Sequence, residues 1–264
     1  MRRMRLLALL AVGVIATAAC SSSGGANEQP GVVAGAVTAN VAFEPGAVAE
    51  GQLVIDGNTV DYVTVAPVGF SPGDMAPVLL VFPPGGQDFG LTRSIVEQTY
   101  QTEATGRGWV VFSPAAPVGG PLWYDGSETL IPAILDWIET WVEPEGGSVN
   151  IAGVSNGGLS TFAVAALVPD RVQSLLVFPG FPRSAEARDA LSELVDVPVR
   201  MFVGGDDTAW IDPMRSAFDT LTELGGDVTF EIVADEGHII DSLRDGVRVF
   251  DELDANRSTA DEDG

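Results

Sequence analysis

The sequence predicts an α/β chain: a mostly parallel central sheet, helices on both of its faces, and an antiparallel edge at its N-terminal side. Three observations carry this. Residues 78–82 and 109–112 are continuous apolar runs, as strands covered on both faces need; a strand with one wet face alternates instead. Such runs alternate with segments of helical period, the pattern of crossover connections. The first two extended segments meet at Asp56-Gly57-Asn58, residue types that favour a tight reversal, so they pair as an antiparallel hairpin.

In chain order, residues 21–46 are rich in Ser, Gly, Ala and Pro without helical or strand period, and read as a flexible tether from residue 20 onward. The folded domain is expected over 47–254, opening with hairpin strands at 52–55 and 59–66. Strands follow at 78–82 and 109–112. Residues 128–142 carry Ile131, Ile134, Leu135, Ile138, Trp141 and Val142 at helical spacing and predict a helix. The remainder reads as strand 149–152, helix 157–168, strands 174–178 and 199–203, helix 213–224, strand 228–233 and helix 239–253. Residues 255–264 are mostly polar, with four charged, and are expected to fray.

Composition narrows the chemistry. The 264 residues, 46% of them apolar, suffice for one α/β core. Thirty-seven acidic residues against 13 basic ones give a net charge of −24. A surface this acidic repels phosphate backbones, which excludes nucleic-acid binding through a basic groove. All basic residues are arginine. Without lysine there is no Walker-type phosphate loop, no Schiff base and no Ser–Lys dyad. With one cysteine, Cys20, and one histidine, His238, the chain cannot close a disulfide on itself and lacks the ligands of a Cys/His zinc site. No metal or other cofactor is expected.

Arg2, Arg3 and Arg5 precede an apolar run over 6–19, and small polar residues follow: the three parts of a secretory signal. The stretch Thr17-Ala18-Ala19-Cys20 resembles a bacterial lipobox, which implies a lipoprotein signal over 1–19 and lipidation of Cys20. The protein is then expected at the cell envelope, on the outer face of the membrane and held there only through that lipid; plain secretion is the alternative. Loss of 1–19 removes three arginines and no acid, leaving −24 − 3 = −27.

Ligands of parallel α/β sheets bind outside the carboxyl ends of the strands. After strand 149–152 stands Gly153-Val154-Ser155-Asn156-Gly157-Gly158, a G-x-S-x-G pattern between an apolar strand and an apolar helix. A sharp strand-to-helix turn there would hold Ser155 above the sheet, with glycines two residues either side because side chains would collide. A serine hydroxyl needs a base to take its proton, and His238 is the one imidazole, in a polar loop after the last strand. A carboxylate to orient that imidazole is available in Asp206 or Asp207, after strand 199–203.

On these residues the chain resembles the α/β-hydrolases, and within them compact bacterial esterases of the polyhydroxybutyrate-depolymerase, feruloyl-esterase and phospholipase/carboxylesterase type, over about residues 50–254. The order Ser155, Asp207, His238 matches the family's nucleophile, acid and histidine. The family often sets its acid four residues into a G-x-x-D pattern, which selects Asp207 in Gly204-Gly205-Asp206-Asp207. The resemblance also implies an oxyanion hole, with the Asn156 backbone N–H as one donor and Gly86 of Pro83-Pro84-Gly85-Gly86 as the second, or else Gln87. It implies a carboxylesterase acting on a small-molecule or polymeric ester through an acyl-enzyme. A peptidase or thioesterase with the same triad, and an inactive binding protein on the same fold, are the alternatives. Phe89, Trp123, Tyr124, Phe181 and Trp210 lie in or near the expected rim loops, with Trp123, Tyr124 and Trp210 the expected substrate contacts. Residues 179–198 leave room for a small rim helix and not for a lid.

Overall fold

The dipeptide Asp56-Gly57 sets the first piece of the sheet. Strands β2 (Val48–Ile55) and β3 (Asn58–Val65) pair antiparallel with Ile55 opposite Asn58, so the reversal is two residues long and Asn58 belongs to the strand. Both turn residues take positive φ, +49° and +81°, as a type I′ hairpin turn requires. The computed structural model describes residues 37–40 and 44–262, and all of them fall in one compact unit. The expected signal segment and Cys20 lie outside the described residues.

Part of the expected tether is sheet: β1 (Val37–Asn40) pairs antiparallel with β2, Val37 opposite Ile55. After β3 come the two-residue β4 (Met75–Ala76) and β5 (Val78–Phe82). Next stand α1 (Phe89–Ile95), a π-helical turn over Val96–Tyr100 and α2 (Gln101–Arg107), a helical stretch with no counterpart in the sequence reading. Strand β6 (Val110–Pro114) follows, then a 3₁₀ turn Ser127–Leu130 leading into α3 (Ile131–Ile138). A short β7 (Glu143–Pro144) pairs with β4. The rest alternates: β8 (Val149–Gly153), α4 (Asn156–Leu167), β9 (Val172–Val177), α5 (Ala185–Asp189), β10 (Val199–Gly204), α6 (Thr208–Glu223), β11 (Val228–Val233) and α7 (Val247–Glu262).

The main sheet has nine strands in the order β1-β2-β3-β6-β5-β8-β9-β10-β11. Pairing is antiparallel from β1 to β6 and parallel from there to β11. The apolar run 78–82 shows why such strands do not alternate. Val78, Leu80 and Phe82 enter one core and Leu79 and Val81 the other, all fully buried. The first core also takes in α3, α4 and α6, and the second takes in the helical stretch after β5 and α7.

Most boundaries shift by a few residues, β2 starting at Val48 rather than 52 and α3 ending at Ile138 rather than 142, and three differ by more. Helix α6 starts at Thr208, so Pro213 lies inside it rather than at its first turn. The last helix begins at Val247, not 239: a 3₁₀ turn at Asp241–Leu243 and Gly246 at φ +78° interrupt the chain first. It then runs on through the expected frayed tail, where Asn256 is buried and the Arg257 guanidinium grips the Glu145 carboxylate at 2.7 and 2.9 Å. The expected small rim helix is α5, continued by a 3₁₀ turn at Ala190–Leu194.

Candidate active site

Ser155 sits between the end of β8 and the start of α4 with φ +58° and ψ −119°. Positive φ is costly for a residue with a side chain and persists only where the surroundings enforce it. Here they do. The Ser155 N–H donates to the Pro179 carbonyl at 2.9 Å, and the Gly157 N–H donates to the Val154 carbonyl at 2.8 Å, closing the turn. A Cβ on Gly153 would come within 2.2 Å of the Gly157 carbonyl oxygen. A Cβ on Gly157 would lie 2.0 Å from the Phe82 carbonyl oxygen. The second glycine therefore makes room less for the turn itself than for the end of β5, which runs alongside.

His238 stands in the loop after β11 and bridges the other two groups. Its Nε2 lies 2.8 Å from Ser155 Oγ and its Nδ1 lies 2.7 Å from Asp207 Oδ2. An ionised carboxylate only accepts, so the neutral tautomer that satisfies both contacts carries its proton on Nδ1 and leaves Nε2 to accept from the serine hydroxyl. The Asp207 side chain is 10% exposed and the His238 ring 37% exposed. Asp207 occupies the N-cap position of α6 without capping it, because its carboxylate faces the imidazole instead. Asp206 is exposed; its N–H donates to the Glu236 carbonyl, and its side chain is not among the partners of His238. Gly204 lets the two loops meet, since a Cβ there would lie 2.0 Å from the Gly237 carbonyl oxygen. The histidine loop is tied off by Glu236, whose carboxylate accepts from the Ser242 N–H at 3.3 Å. The Ser242 side-chain hydrogen bond, joined by backbone N–H groups, holds the Glu236 carboxyl below its ordinary range.

The loop after β5 faces the serine. Among the described residues, no acceptor in the protein engages the backbone N–H of Gly86 or of Asn156. Gln87 is not a spare donor: its N–H already donates to the Pro84 carbonyl at 3.1 Å, closing a turn. Its buried side chain braces the loop instead. Gln87 Nε2 donates to Ser160 Oγ at 2.8 Å on α4 and to the Pro83 carbonyl at 3.3 Å, while Oε1 accepts the Trp123 N–H at 2.9 Å. The Asn156 side chain adds a bond from Nδ2 to the Gly85 carbonyl at 2.7 Å. Neither brace is readable from local sequence, because Gln87 lies 73 residues from Ser160 and 36 from Trp123.

The aromatic residues divide. Trp123 is 0% exposed, packs against Phe82 and donates its indole N–H to the Pro114 carbonyl at 3.2 Å. It is a core residue with no surface to offer a ligand, contrary to expectation. Tyr124 is half-buried beneath the Arg183 guanidinium, 5.1 Å from its ring centre. Phe89 packs against the core of the opposite sheet face. Trp210 lies against His238, ring centres 5.0 Å apart, and Phe181 meets Trp210 edge-on at 5.1 Å. Among the described residues no group of three or more His, Cys, Asp or Glu side chains is arranged to hold a metal ion.

Solved structures share this architecture. A cold-adapted esterase from an Arctic intertidal metagenomic library superposes with a TM-score of 0.60 at 21% identity, covering 81% of this chain and 97% of that one. The chain has the α/β-hydrolase fold. An S-formylglutathione hydrolase from Agrobacterium tumefaciens matches at TM-score 0.60 and 14% identity, over 84% of this chain and 98% of its own. A feruloyl esterase module from Clostridium thermocellum, an S954A mutant complexed with sinapinate, matches at 0.59 and 14%, over 77% and 90%. Comparison with protein-family models and with curated sequences gives no match. In α/β-hydrolase terms, the strand ends of β5, β8, β10 and β11 bring together the Gly86 loop, Ser155, Asp207 and His238.

Proposed function

We propose that this chain is a serine hydrolase that cleaves carboxylic esters through an acyl-enzyme. The observation that carries the reading is the unbroken chain from Ser155 Oγ through both ring nitrogens of His238 to Asp207, with the serine on a strained turn. Ser155 Oγ attacks the ester carbonyl as His238 Nε2 takes its proton. Asp207 holds the ring and stabilises the imidazolium, which hands the proton to the departing alcohol. The Gly86 and Asn156 N–H groups receive the oxyanion. Water, activated by the same imidazole, then releases the acid and restores Ser155. Each step uses side chains and backbone of this chain, so no cofactor enters. The fold-sharing structures that bear esterase and hydrolase names support the reaction class. Hydrolysis of p-nitrophenyl acetate tests it: Ser155→Ala should cost roughly 10³–10⁶ in turnover while the circular dichroism spectrum is kept. A variant that retains a tenth of the rate would overturn the mechanism.

We also propose that the chain is exported and lipidated at Cys20, on the motif Thr17-Ala18-Ala19-Cys20 behind the apolar run 6–19. A diacyl group, at about 0.8 kcal/mol per buried methylene, anchors a chain stably where a single acyl chain does not. Intact-mass measurement of the native protein decides it: a modified N-terminal Cys20 is expected, and an unmodified Cys20 or another N-terminus would remove the membrane from the account.

A further inference from the structure

The segment that follows β9 crosses the proposed active site. Its Pro179 carbonyl accepts the Ser155 N–H at 2.9 Å, and bare backbone meets there: a Cβ on Gly158 of α4 would lie 2.1 Å from the Pro179 carbonyl oxygen. Two residues on, Phe181 meets Trp210, whose ring lies against His238. Two further on, the Arg183 guanidinium covers the Tyr124 ring, 5.1 Å from its centre. Tyr124 adjoins Trp123, whose N–H is held by Gln87 of the Gly86 loop. Arg183 therefore stands at the mouth of the site, no more than roughly 14 Å of extended chain from the carbonyl that holds the serine turn. Arg188, on α5, donates to the Arg183 carbonyl at 2.6 Å and lines a half-open cavity of about 220 Å³ that begins at Phe181.

Both side chains are exposed to solvent, and neither has a carboxylate partner. Among the described residues, seven of the ten arginines hold a carboxylate within 4.0 Å. The exceptions are Arg183, Arg188 and Arg215, the last resting on Phe230 of β11. In a chain with 37 acidic residues for 13 basic ones, uncompensated guanidinium groups are scarce, and two of these three fall on one rim. The neighbouring Glu186 is engaged elsewhere: its own backbone N–H and Ser184, ahead of the Arg188 charge, hold its carboxyl below the ordinary range.

We infer that Arg183 and Arg188 form an anion-recognition site on the rim, so that the enzyme favours esters carrying a carboxylate a few bonds from the scissile bond over neutral esters of the same shape. The inference rests on the esterase reading above. A guanidinium stacked on an aromatic ring has its plane fixed, and its N–H edge still faces outward. That edge matches the two oxygens of a carboxylate. Arg188 spends one Nη1 bond on the Arg183 carbonyl and keeps its other donors. Tyr124 on one side and Phe181 on the other give the body of such a substrate apolar surface between the arginines and the reacting groups. The charge of the whole chain makes these two side chains decisive. At −24 the surface elsewhere repels an anion, so a preference for one has to come from local contact.

The test compares esters that differ in charge alone, with hydrolysis followed by pH-stat. The acetate of ω-hydroxyhexanoate carries its carboxylate on the alcohol side, and monoethyl adipate carries it on the acyl side. Each is set against the N-methylamide of its acid, which keeps the ester and loses the charge. Wild type should prefer the carboxylate in at least one pair by about fivefold in kcat/KM, the modest size that two solvent-exposed ion pairs give. The pair that responds tells on which side of the scissile bond the anion sits. In Arg183→Gln/Arg188→Gln the preference should vanish, while kcat/KM on the amides stays within about twofold of wild type. If the double variant does not fold, Arg183→Gln alone should at least halve the preference. Wild type showing no preference beyond about twofold in either pair, or a preference that survives in the variant, overturns the proposal. If Ser155→Ala keeps wild-type activity on the amides, it is the esterase reading that fails.

Discussion

The two halves of the candidate site are held by different means. On the nucleophile side, β8, α4 and the loop after β5 interlock by close backbone approach and buried side-chain hydrogen bonds: Gly157 against Phe82, Gln87 to Ser160 and Trp123, Asn156 to Gly85. On the acid–histidine side, the strands are β10 and the edge strand β11, whose residues are half-buried or exposed. There the loops are knitted by backbone bonds, Gly205 N–H to Val233 and Asp206 N–H to Glu236, and the side chains mostly hold one another. The difference teaches where stability and chemistry separate. Damage on the nucleophile side should register in folding as well as rate, whereas loss of a side chain on the histidine side, away from the close approach of Gly204 to Gly237, should register in rate almost alone.

The largest expected effect that sharpens this contrast is Asp207→Asn. It should cost on the order of 10⁴ in kcat with little change in Tm, because an amide favours the wrong imidazole tautomer and stabilises no imidazolium. Asp206→Asn should cost far less, and steady-state kinetics of the pair would expose a reversed ranking. Next is Gly157→Ala. Its methyl meets backbone on β5, which cannot rotate away, so a loss of about 3 kcal/mol is expected. Calorimetry should show this as a fall of roughly 6–12 °C in Tm. An unchanged Tm would break the comparison.

Gln87→Leu is intermediate on both scales. It removes three side-chain hydrogen bonds and strands the buried Trp123 N–H, at about 1–3 kcal/mol for an unsatisfied group. The loosened Gly86 loop should lower kcat about 10–100-fold with KM little moved. A variant in which only KM rises would mean the side chain touches substrate. The smallest effect is expected from Trp210→Ala. A ring contact of about 0.5–1.5 kcal/mol on His238 translates to roughly 2–10-fold in rate, with Tm nearly unchanged.

The same contrast governs what the sequence discloses. Gly153 obeys a steric rule that acts within five residues, since its Cβ would meet Gly157, so the turn is legible without knowing what lies beside it, whereas the room that Gly157 makes for Phe82 on β5 is not. Asp207 and His238 are legible because loops after parallel strands collect function and the chain has one histidine. The braces are not: Gln87 reads as a loop residue with a usable N–H, and only the fold brings Ser160 and Trp123 to it. Trp123 misleads for a related reason, since a Gly/Pro-rich neighbourhood marks a loop while its ring is driven into the core against Phe82. The helical stretch after β5 escapes notice because threonine stands at two of its buried positions, Thr92 and Thr99, and dilutes the apolar stripe. Residues 255–262 look like a polar tail until Arg257 is seen against Glu145, 112 residues away.

The central claim is that Ser155, activated by His238, attacks carbonyl-like electrophiles. Intact-mass measurement of the folded protein after reaction with a fluorophosphonate, followed by peptide mapping, tests it most directly. One adduct per chain on Ser155, formed at least 10³-fold more slowly in His238→Ala, is the expected result. No adduct, an adduct on another serine, or equal labelling of the histidine variant would contradict the account.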